Sequence, residues 1–104
     1  MKYTTTDTIA GKNIIDSMGV VSGCVVQSKH LGRDIMAGLK TIIGGELVGM
    51  TEMINDAREL AVDRMLKEAQ NLGADAIVAV RFTTSTIMPG SSEILAFGTA
   101  VKLS

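Results

Sequence analysis

The fold is decided by residues 76–103, which read AIVAVRFTTSTIM, then Pro89-Gly90, then SSEILAFGTAVKL. Two runs rich in β-branched residues, Ala76 to Thr86 and Glu93 to Leu103, flank the segment Met88-Pro89-Gly90-Ser91. Pro and Gly suit the central positions of a type II turn. The pattern therefore predicts a β-hairpin in which Met88 lies opposite Ser91.

Continued without interruption, this register pairs Phe82 with Phe97 and Arg81 with Gly98. One face of the hairpin is then bulky and apolar, and we expect it to receive the helices. The other face is small and mixed in character, and it carries Arg81. The bulky face comprises Val78, Val80, Phe82, Leu95, Phe97, Thr99, Val101 and Leu103, and the small face comprises Ile77, Ala79, Arg81, Thr83, Ile94, Ala96, Gly98, Ala100 and Lys102.

Helical spacing of hydrophobic residues precedes the hairpin. Between residues 47 and 72, apolar side chains recur every three or four positions, and Gly73 is well placed to cap the C-terminus of this long helix. A shorter helix is predicted between Gly32 and Gly44, because the same spacing recurs there and stops at a pair of glycines.

The N-terminal part of the chain predicts strands. Residues 13–26 are rich in valine and isoleucine, which favours a long strand, and residues 3–6 favour a short edge strand. With two helices between the long strand and the hairpin, the sequence predicts an α+β fold. We expect a two-layer β-α-β-β sandwich whose sheet is mostly antiparallel.

Composition limits the class of protein. The 104 residues suit one domain, 1–104, with 46% hydrophobic and 20% charged residues, so the chain should fold. A net charge of −1 gives no electrostatic basis for binding nucleic acid or an anionic membrane surface. One cysteine, no long apolar run and no apolar export segment at the N-terminus favour a cytoplasmic protein.

The sheet should have one uncovered side in a single copy. Helices on one side cover one face only, yet the long strand is apolar almost continuously from residue 18 to residue 26. Further copies of the chain would cover this face and the strand edges, so we expect a homo-oligomer. The alternative is a tolerated, half-exposed face, since much of any protein surface is apolar.

Several short segments in order carry a family resemblance. They include the stretch from Gly19 to Gly23, the pair Gly44-Gly45, the stretch from Leu72 to Ile77 and the stretch from Gly98 to Val101. Together they resemble the YbjQ-like family of small bacterial proteins, often labelled heavy-metal-binding. The resemblance implies a dodecin-subunit-like fold with sheet order 1-3-2, and a homopentameric ring whose subunit sheets build a shared barrel-like centre.

Cys24 and His30 are the candidate ligands for a soft or transition metal ion. Neither belongs to a paired Cys or His motif of the kind that closed zinc sites use, so a thiolate cluster could arise only by repetition around a symmetry axis. The alternatives are a core cysteine and a solvent-exposed histidine near a helix N-terminus.

Arg81 is a candidate for binding an anion, because it is expected on the uncovered face and would recur around the axis of a ring. The alternative is an ion pair with Glu93 or Asp75 across a subunit interface. The leading functional hypothesis is a non-enzymatic, homo-oligomeric binding or storage protein. An interaction module without a small ligand is the second hypothesis, and an enzyme is the third.

Overall fold

The computed structural model describes residues 1–28, 42–43 and 46–104. Its elements in chain order are β1 (Lys2–Tyr3), β2 (Ile14–Ser28), β3 (Ile42–Ile43), β4 (Glu46–Leu47), α1 (Val48–Leu72), β5 (Ala76–Met88) and β6 (Ser91–Leu103). The long strand, the long helix and the hairpin lie where the hydrophobic pattern predicts them, with ends displaced by one or two residues.

The main sheet has the strand order β1-β5-β6-β2. The strands β2, β6 and β5 pair antiparallel, which confirms the predicted order of the three long strands. The short edge strand β1 adds to β5 in parallel, with Lys2 opposite Ala76. The sheet is therefore mixed at one edge, and the α+β class with a mostly antiparallel sheet is confirmed.

Helix α1 ends at the predicted glycine. Gly73 has a φ of 80°, in the left-handed region, and its N–H donates to the carbonyl of Gln70. The N–H of Ala74 donates to the carbonyl of Ala69, which completes a Schellman motif. The cap leads the chain directly into β5. The connection between α1 and the hairpin is therefore short, and its backbone conformation is fixed by hydrogen bonds.

The shorter predicted helix is not supported where the structure can test it. Ile42–Ile43 form the strand β3, which pairs antiparallel with β4, so helical structure does not extend to residue 43. The remainder of that prediction, residues 32–41, lies outside the described residues. Glu46–Leu47 form the strand β4 before α1 begins, so the predicted connection from one helix directly to the next is wrong.

The tip of the hairpin follows the prediction, but the register further along does not. Met88 pairs with Ser91, and Gly90 has the positive φ of 83° that a type II turn requires. Register shifts then occur between Thr86 and Met88 and again around Ala79, whose φ is 54°.

These β-bulges correct two predicted pairs. Phe82 lies opposite Ala96, not Phe97, and Arg81 lies opposite Phe97, not Gly98. Each bulge places one extra residue in β5, so side chains after the bulge change face relative to an uninterrupted strand. The sequence carries no glycine at Ala79 that would have signalled the irregularity.

The helix packs on the small face of the sheet, so the predicted assignment of the two faces is wrong. The core that includes α1 contains Ile77, Ile94, Ala96 and Ala100, all from the face that was expected to be uncovered. The reason is steric: small residues on both surfaces let the helix approach the sheet closely. The partners on the helix are Ala57, Ala61, Val62, Met65 and Ala69.

The opposite face of the sheet is covered only at one end. Ile9, from the segment between β1 and β2, is buried with Ala76, Val78 and Val101 in a second small core. Beyond this cluster, the same face carries the half-buried Leu95 and Phe97. We call the surface away from α1 the open face; it includes Val20, Ser22, Cys24, Val26, Glu93, Leu95, Phe97 and Thr99.

An acid-sensitive contact connects the end of α1 to the end of β6. The backbone N–H of Leu103 donates to Asp75, and Lys102 forms an ion pair with the same carboxylate at 3.4 Å. The hydrogen bond from Leu103, and secondarily Lys102, lowers the pKa of Asp75. A carboxyl with a lowered pKa stabilises the fold above its ordinary pKa, and this contribution is lost as the pH falls through the folded value.

We therefore expect Asp75→Asn to lower the Tm at pH 7. The difference from the parent protein should narrow below about pH 4, because protonation removes the same charge from the parent. Thermal melts at a series of pH values measure this. Asp63→Asn, at an exposed position on α1, serves as the control and should give the same Tm as the parent protein at each pH. A constant difference down to pH 2 would contradict the prediction.

Candidate functional site

The structure describes two of the three residues that the sequence singled out. Cys24 lies in β2 opposite Leu95, on the open face. Arg81 lies in β5 opposite Phe97, and therefore also on the open face. His30 lies outside the described residues, so its position relative to Cys24 stays a prediction.

Cys24 is paired with a carboxylate. Its Sγ donates a hydrogen bond to Oε2 of Glu93, at a distance of 3.2 Å. Val26 lies opposite Glu93 in the β2–β6 ladder, so Cys24 and Glu93 are diagonal neighbours on one face. The half-buried thiol and the carboxylate form a pair, which we call the Cys24–Glu93 pair.

Glu93 favours the protonated form of the thiol. The hydrogen bond to Glu93 raises the pKa of Cys24, and burial and the negative charge of Glu93 act in the same direction. The guanidinium of Arg64, which donates to the carbonyl of Cys24, lowers the pKa by a smaller amount. The free thiol is consequently a protonated donor at neutral pH, not a reactive thiolate.

The Cys24–Glu93 pair fits a metal ion only in part. A thiolate sulfur and a carboxylate oxygen are both zinc ligands, but a closed site usually has four. Among the described residues, no group of three or more His, Cys, Asp and Glu side chains is close enough to hold a metal ion. Within the described part of one copy, the donor set is therefore incomplete.

Arg81 already has two backbone partners. One guanidinium nitrogen donates to the carbonyl of Thr5 at 2.9 Å and to the carbonyl of Val80 at 2.8 Å. Within the described residues, the carboxylates proposed as its alternative partners bind other groups, since Asp75 pairs with Lys102 and Glu93 accepts from Cys24. In a single copy Arg81 thus fixes the N-terminal segment against β5, and anion binding by Arg81 stays a prediction.

Glu93 is the site residue that the sequence analysis did not assign to Cys24. The two residues are 69 positions apart, and no motif spacing joins them. The signal that could have found the pair is the strand order: once β2 is placed beside β6 in register, Cys24 and Glu93 become diagonal neighbours.

No helix in the described part of the chain combines the length and apolar character needed to cross a lipid bilayer.

Comparison with known proteins gives consistent family matches. A family model of the YbjQ family, described as "Putative heavy-metal-binding", matches residues 1–104. A protein named UPF0145 from Shewanella frigidimarina is 67% identical over 103 residues, covering 99% of this chain and 96% of that protein. UPF0145 proteins from Thermotoga maritima and Methanosarcina acetivorans are 57% and 53% identical, each covering 99% of this chain and 97% of its own length.

A solved structure shares the fold. The crystal structure of a DUF74-family protein of unknown function from Pediococcus pentosaceus superposes with a TM-score of 0.65 at 19% identity. The match covers 100% of this chain and 98% of that chain. At this identity, the likeness establishes the shared fold.

Proposed function

We propose, since the chain belongs to the YbjQ family, that it is a non-enzymatic cytoplasmic protein that binds a soft or transition metal ion between copies of itself. The observation that carries the proposal is the Cys24–Glu93 pair on the open face. Sulfur and carboxylate donors side by side provide half of a four-ligand site, and repetition of the pair around the axis of a ring would provide the remaining donors. His30, also in the proposed ligand set, would add nitrogen donors.

The raised pKa of Cys24 gives this proposal a chemical signature. A metal ion binds the thiolate, so binding must remove the proton that Cys24 shares with Glu93. Metal affinity should consequently increase with pH through the titration of the thiol, and binding should release a proton. Glu93 would change its partner from the thiol hydrogen to the metal ion, with its negative charge retained.

Self-association is the second part of the proposal. The open face carries large apolar side chains that a single copy leaves in contact with water: Val20 is 73% exposed and Val26 is 56% exposed. Neighbouring Leu95 and Phe97 are half-buried. Covering this surface with identical subunits would exclude water from it, and the family resemblance favours a ring of five.

Metal analysis of protein purified without an affinity tag tests the proposal. The parent protein, supplied with Zn²⁺ and then dialysed, should retain stoichiometric zinc, and Cys24→Ser should lose at least tenfold in affinity because the only thiolate ligand is removed. His30→Ala and Glu93→Gln should weaken binding to a smaller extent. Isothermal titration in two buffers of different ionisation enthalpy measures the released proton.

The matched control is Ser22→Ala, on the same strand and face, which should bind zinc as the parent does. Parent protein that retains no zinc, or retention that is unaltered in both Cys24→Ser and His30→Ala, would remove the metal-binding proposal.

An interaction module without a small ligand is the second candidate function. The incomplete donor set among the described residues and the protonated thiol of Cys24 favour it. In that case the Cys24–Glu93 hydrogen bond has a structural role between β2 and β6. The metal analysis separates the two candidates, because an interaction module would assemble normally while retaining no metal.

A further inference from the structure

The segment that follows β1 is bound along β5. The N–H of Thr4 donates to the carbonyl of Ile77 at 3.0 Å, which continues the β1–β5 pairing by one residue. The hydroxyl groups of Thr4 and Thr6 are hydrogen-bonded to each other at 2.8 Å. Further along, Ile9 is 6% exposed and belongs to the second small core. We call residues 4–9, which this core anchors, the N-terminal strap.

Two consecutive N–H groups of β5 donate to the N-terminal strap. The N–H of Ala79 donates to the carbonyl of Thr6 at 2.8 Å, and the N–H of Val80 donates to the carbonyl of Thr4 at 2.9 Å. In a regular strand, the N–H groups of adjacent residues point to opposite sides, so one neighbouring segment cannot accept from both. Both bonds form because β5 is bulged here, with Ala79 and Val80 together facing the single residue Gly98.

The bulge holds one residue in an unfavourable backbone conformation. Ala79 has a φ of 54°, in the left-handed region that glycine usually occupies in a bulge of this kind. The β6 side makes room for it, because a Cβ on Gly98 would lie 3.0 Å from the carbonyl oxygen of Val78 and 3.1 Å from Cγ2 of Val80. A strained residue persists only where the surrounding contacts outweigh its cost. On the outer side of β5, the N-terminal strap supplies those contacts.

Two further interactions favour the bulged register. The guanidinium of Arg81 donates to the carbonyls of Thr5 and Val80, which ties the strap to the first residue after the bulge. The bulge also directs the side chain of Val80, which is 1% exposed, into the core with α1. The register of β5 is therefore a balance, with the strap and this packing on one side and the strain at Ala79 on the other.

A straight β5 would present different side chains. Without the bulge, the register of the inner part would continue and place Arg81 opposite Ala96 and Phe82 opposite Leu95. In the structure, Arg81 lies opposite Phe97 on the open face, and Phe82 lies opposite Ala96 on the helix side. Straightening moves each of these side chains to the other face. The cation would leave the open face, and the aromatic ring would take its place.

We propose that the N-terminal strap is a register lock for the hairpin. By accepting from two consecutive N–H groups of β5, it holds the bulge. Its release lets the outer part of β5 move by one residue, so that Phe82 replaces Arg81 on the open face. Whatever draws the strap away from β5 therefore exchanges a cation for an aromatic ring at this point of the surface. The register lock does not depend on metal binding.

Ile9→Ala tests the register lock, because it removes the buried anchor of the strap and leaves β5 unaltered. Cross-strand nuclear Overhauser contacts report the register: Arg81 with Phe97 when β5 is bulged, and Phe82 with Leu95 when it is straight. The parent protein should show the first contact alone. Ile9→Ala should show the second contact as well, in at least about a tenth of the molecules, with circular dichroism to confirm the fold.

The matched control is Ile14→Ala, which removes the same side chain from the same small core but from β2. It should keep the contact of the parent. In the Ile9→Ala protein, Ala79→Gly should restore the bulged register, since glycine adopts this φ without strain. General loosening would not be reversed in this way, because glycine weakens a strand.

Ala79→Gly in the parent protein gives a second measurement that leaves the strap intact. Relief of the strain should raise the Tm by about 2 °C or more. A lower Tm would show that Ala79 stores no strain for the strap to oppose, and the register lock would be abandoned. A folded Ile9→Ala protein with the Arg81–Phe97 contact alone, or a straight register that persists after Ala79→Gly, would overturn it equally. Zinc retention is judged separately by the metal analysis above.

Discussion

Gly23→Ala should destabilise the fold by about 3 kcal/mol and lower the Tm by about 15 °C. Gly23 lies in β2 beneath α1, and a Cβ at this position would overlap the backbone oxygen of Ala61 and crowd the backbone nitrogen of Met65. It would also lie 2.9 Å from Cβ of Arg64. The helix backbone cannot rotate away as a side chain can, so α1 must move off the sheet and loosen its packing. Chemical denaturation at a fixed protein concentration measures the change.

Two comparisons isolate the cause. Gly98→Ala should cost less, about 2 kcal/mol, because a new Cβ would lie 2.8 Å from Cγ2 of the buried Ile77 and 3.0 Å from the backbone oxygen of Val78, without the deep overlap with helix backbone found at Gly23. Ser22→Ala, on the opposite face of β2, should change the stability by less than about 0.5 kcal/mol. A Gly23→Ala protein with the parent's stability would show that α1 does not sit against β2 at this distance.

Met65→Ala should lower the free energy of unfolding by about 3 to 4 kcal/mol. Met65 is fully buried at the centre of the helix–sheet core, where it packs among Val21, Val25 and Ala61. Truncation removes the buried thioether and leaves a cavity, and the surrounding side chains, which are short or β-branched, are too small or too stiff to fill the space. Urea unfolding monitored by circular dichroism gives the value.

The volume-conserving variant provides the control for Met65. Met65→Leu keeps nearly the same volume and should cost less than about 1.5 kcal/mol. Leu60→Ala, at a position on α1 that is 42% exposed, should have a small effect on an isolated subunit. Equal losses for Met65→Ala and Leu60→Ala would contradict the orientation of α1 described above.

Local signals in the sequence predicted the elements of this fold well. The turn at Pro89-Gly90 and the cap at Gly73 each depend on a residue whose backbone preference is intrinsic, so the prediction needs no knowledge of distant contacts. The turn and the cap could be predicted because their causes lie within a few residues. The order of the three long strands was implied by the family resemblance, not by local signals, and the sheet confirms it.

The register and the faces of the hairpin could not be predicted in the same way. The bulge at Ala79 depends on tertiary contacts, since the carbonyl of Thr6 accepts from the N–H of Ala79 and Thr4 binds the backbone of Ile77 and Val80 on either side of it. The choice of the small face for α1 depends on how closely two surfaces can approach, which Gly23 decides only once it is brought under the helix. A pattern of bulky and small residues does not by itself state which side the helix covers.

In the candidate site too, residue types could be predicted from the sequence but their partners could not. Cys24 could be selected from residue type alone, but its partner Glu93 lies on another strand and is found only through the ladder between β2 and β6. Arg81 could also be selected by residue type, but its face could not: the uninterrupted register placed it on the small face, which α1 covers, and the bulge near Met88 moves it to the open face. Its two backbone acceptors, Thr5 and Val80, depend on the path of the N-terminal segment, which the sequence describes only as a short edge strand.

The bulge at Ala79 divides β5 into two parts. Because the bulge interrupts the alternation of side chains between the two faces of the sheet, the faces occupied in one part do not determine those in the other. Ile77 belongs to the first part and is fixed by the core, while the second part, from Arg81 onward, is exposed along its length. Insertion or deletion of one residue at the bulge would turn the outer part over and exchange its two surfaces, yet leave the interior in place. Through such insertions or deletions, evolution can change which side chains the outer part of β5 exposes on each face without changing the residues of the hydrophobic core.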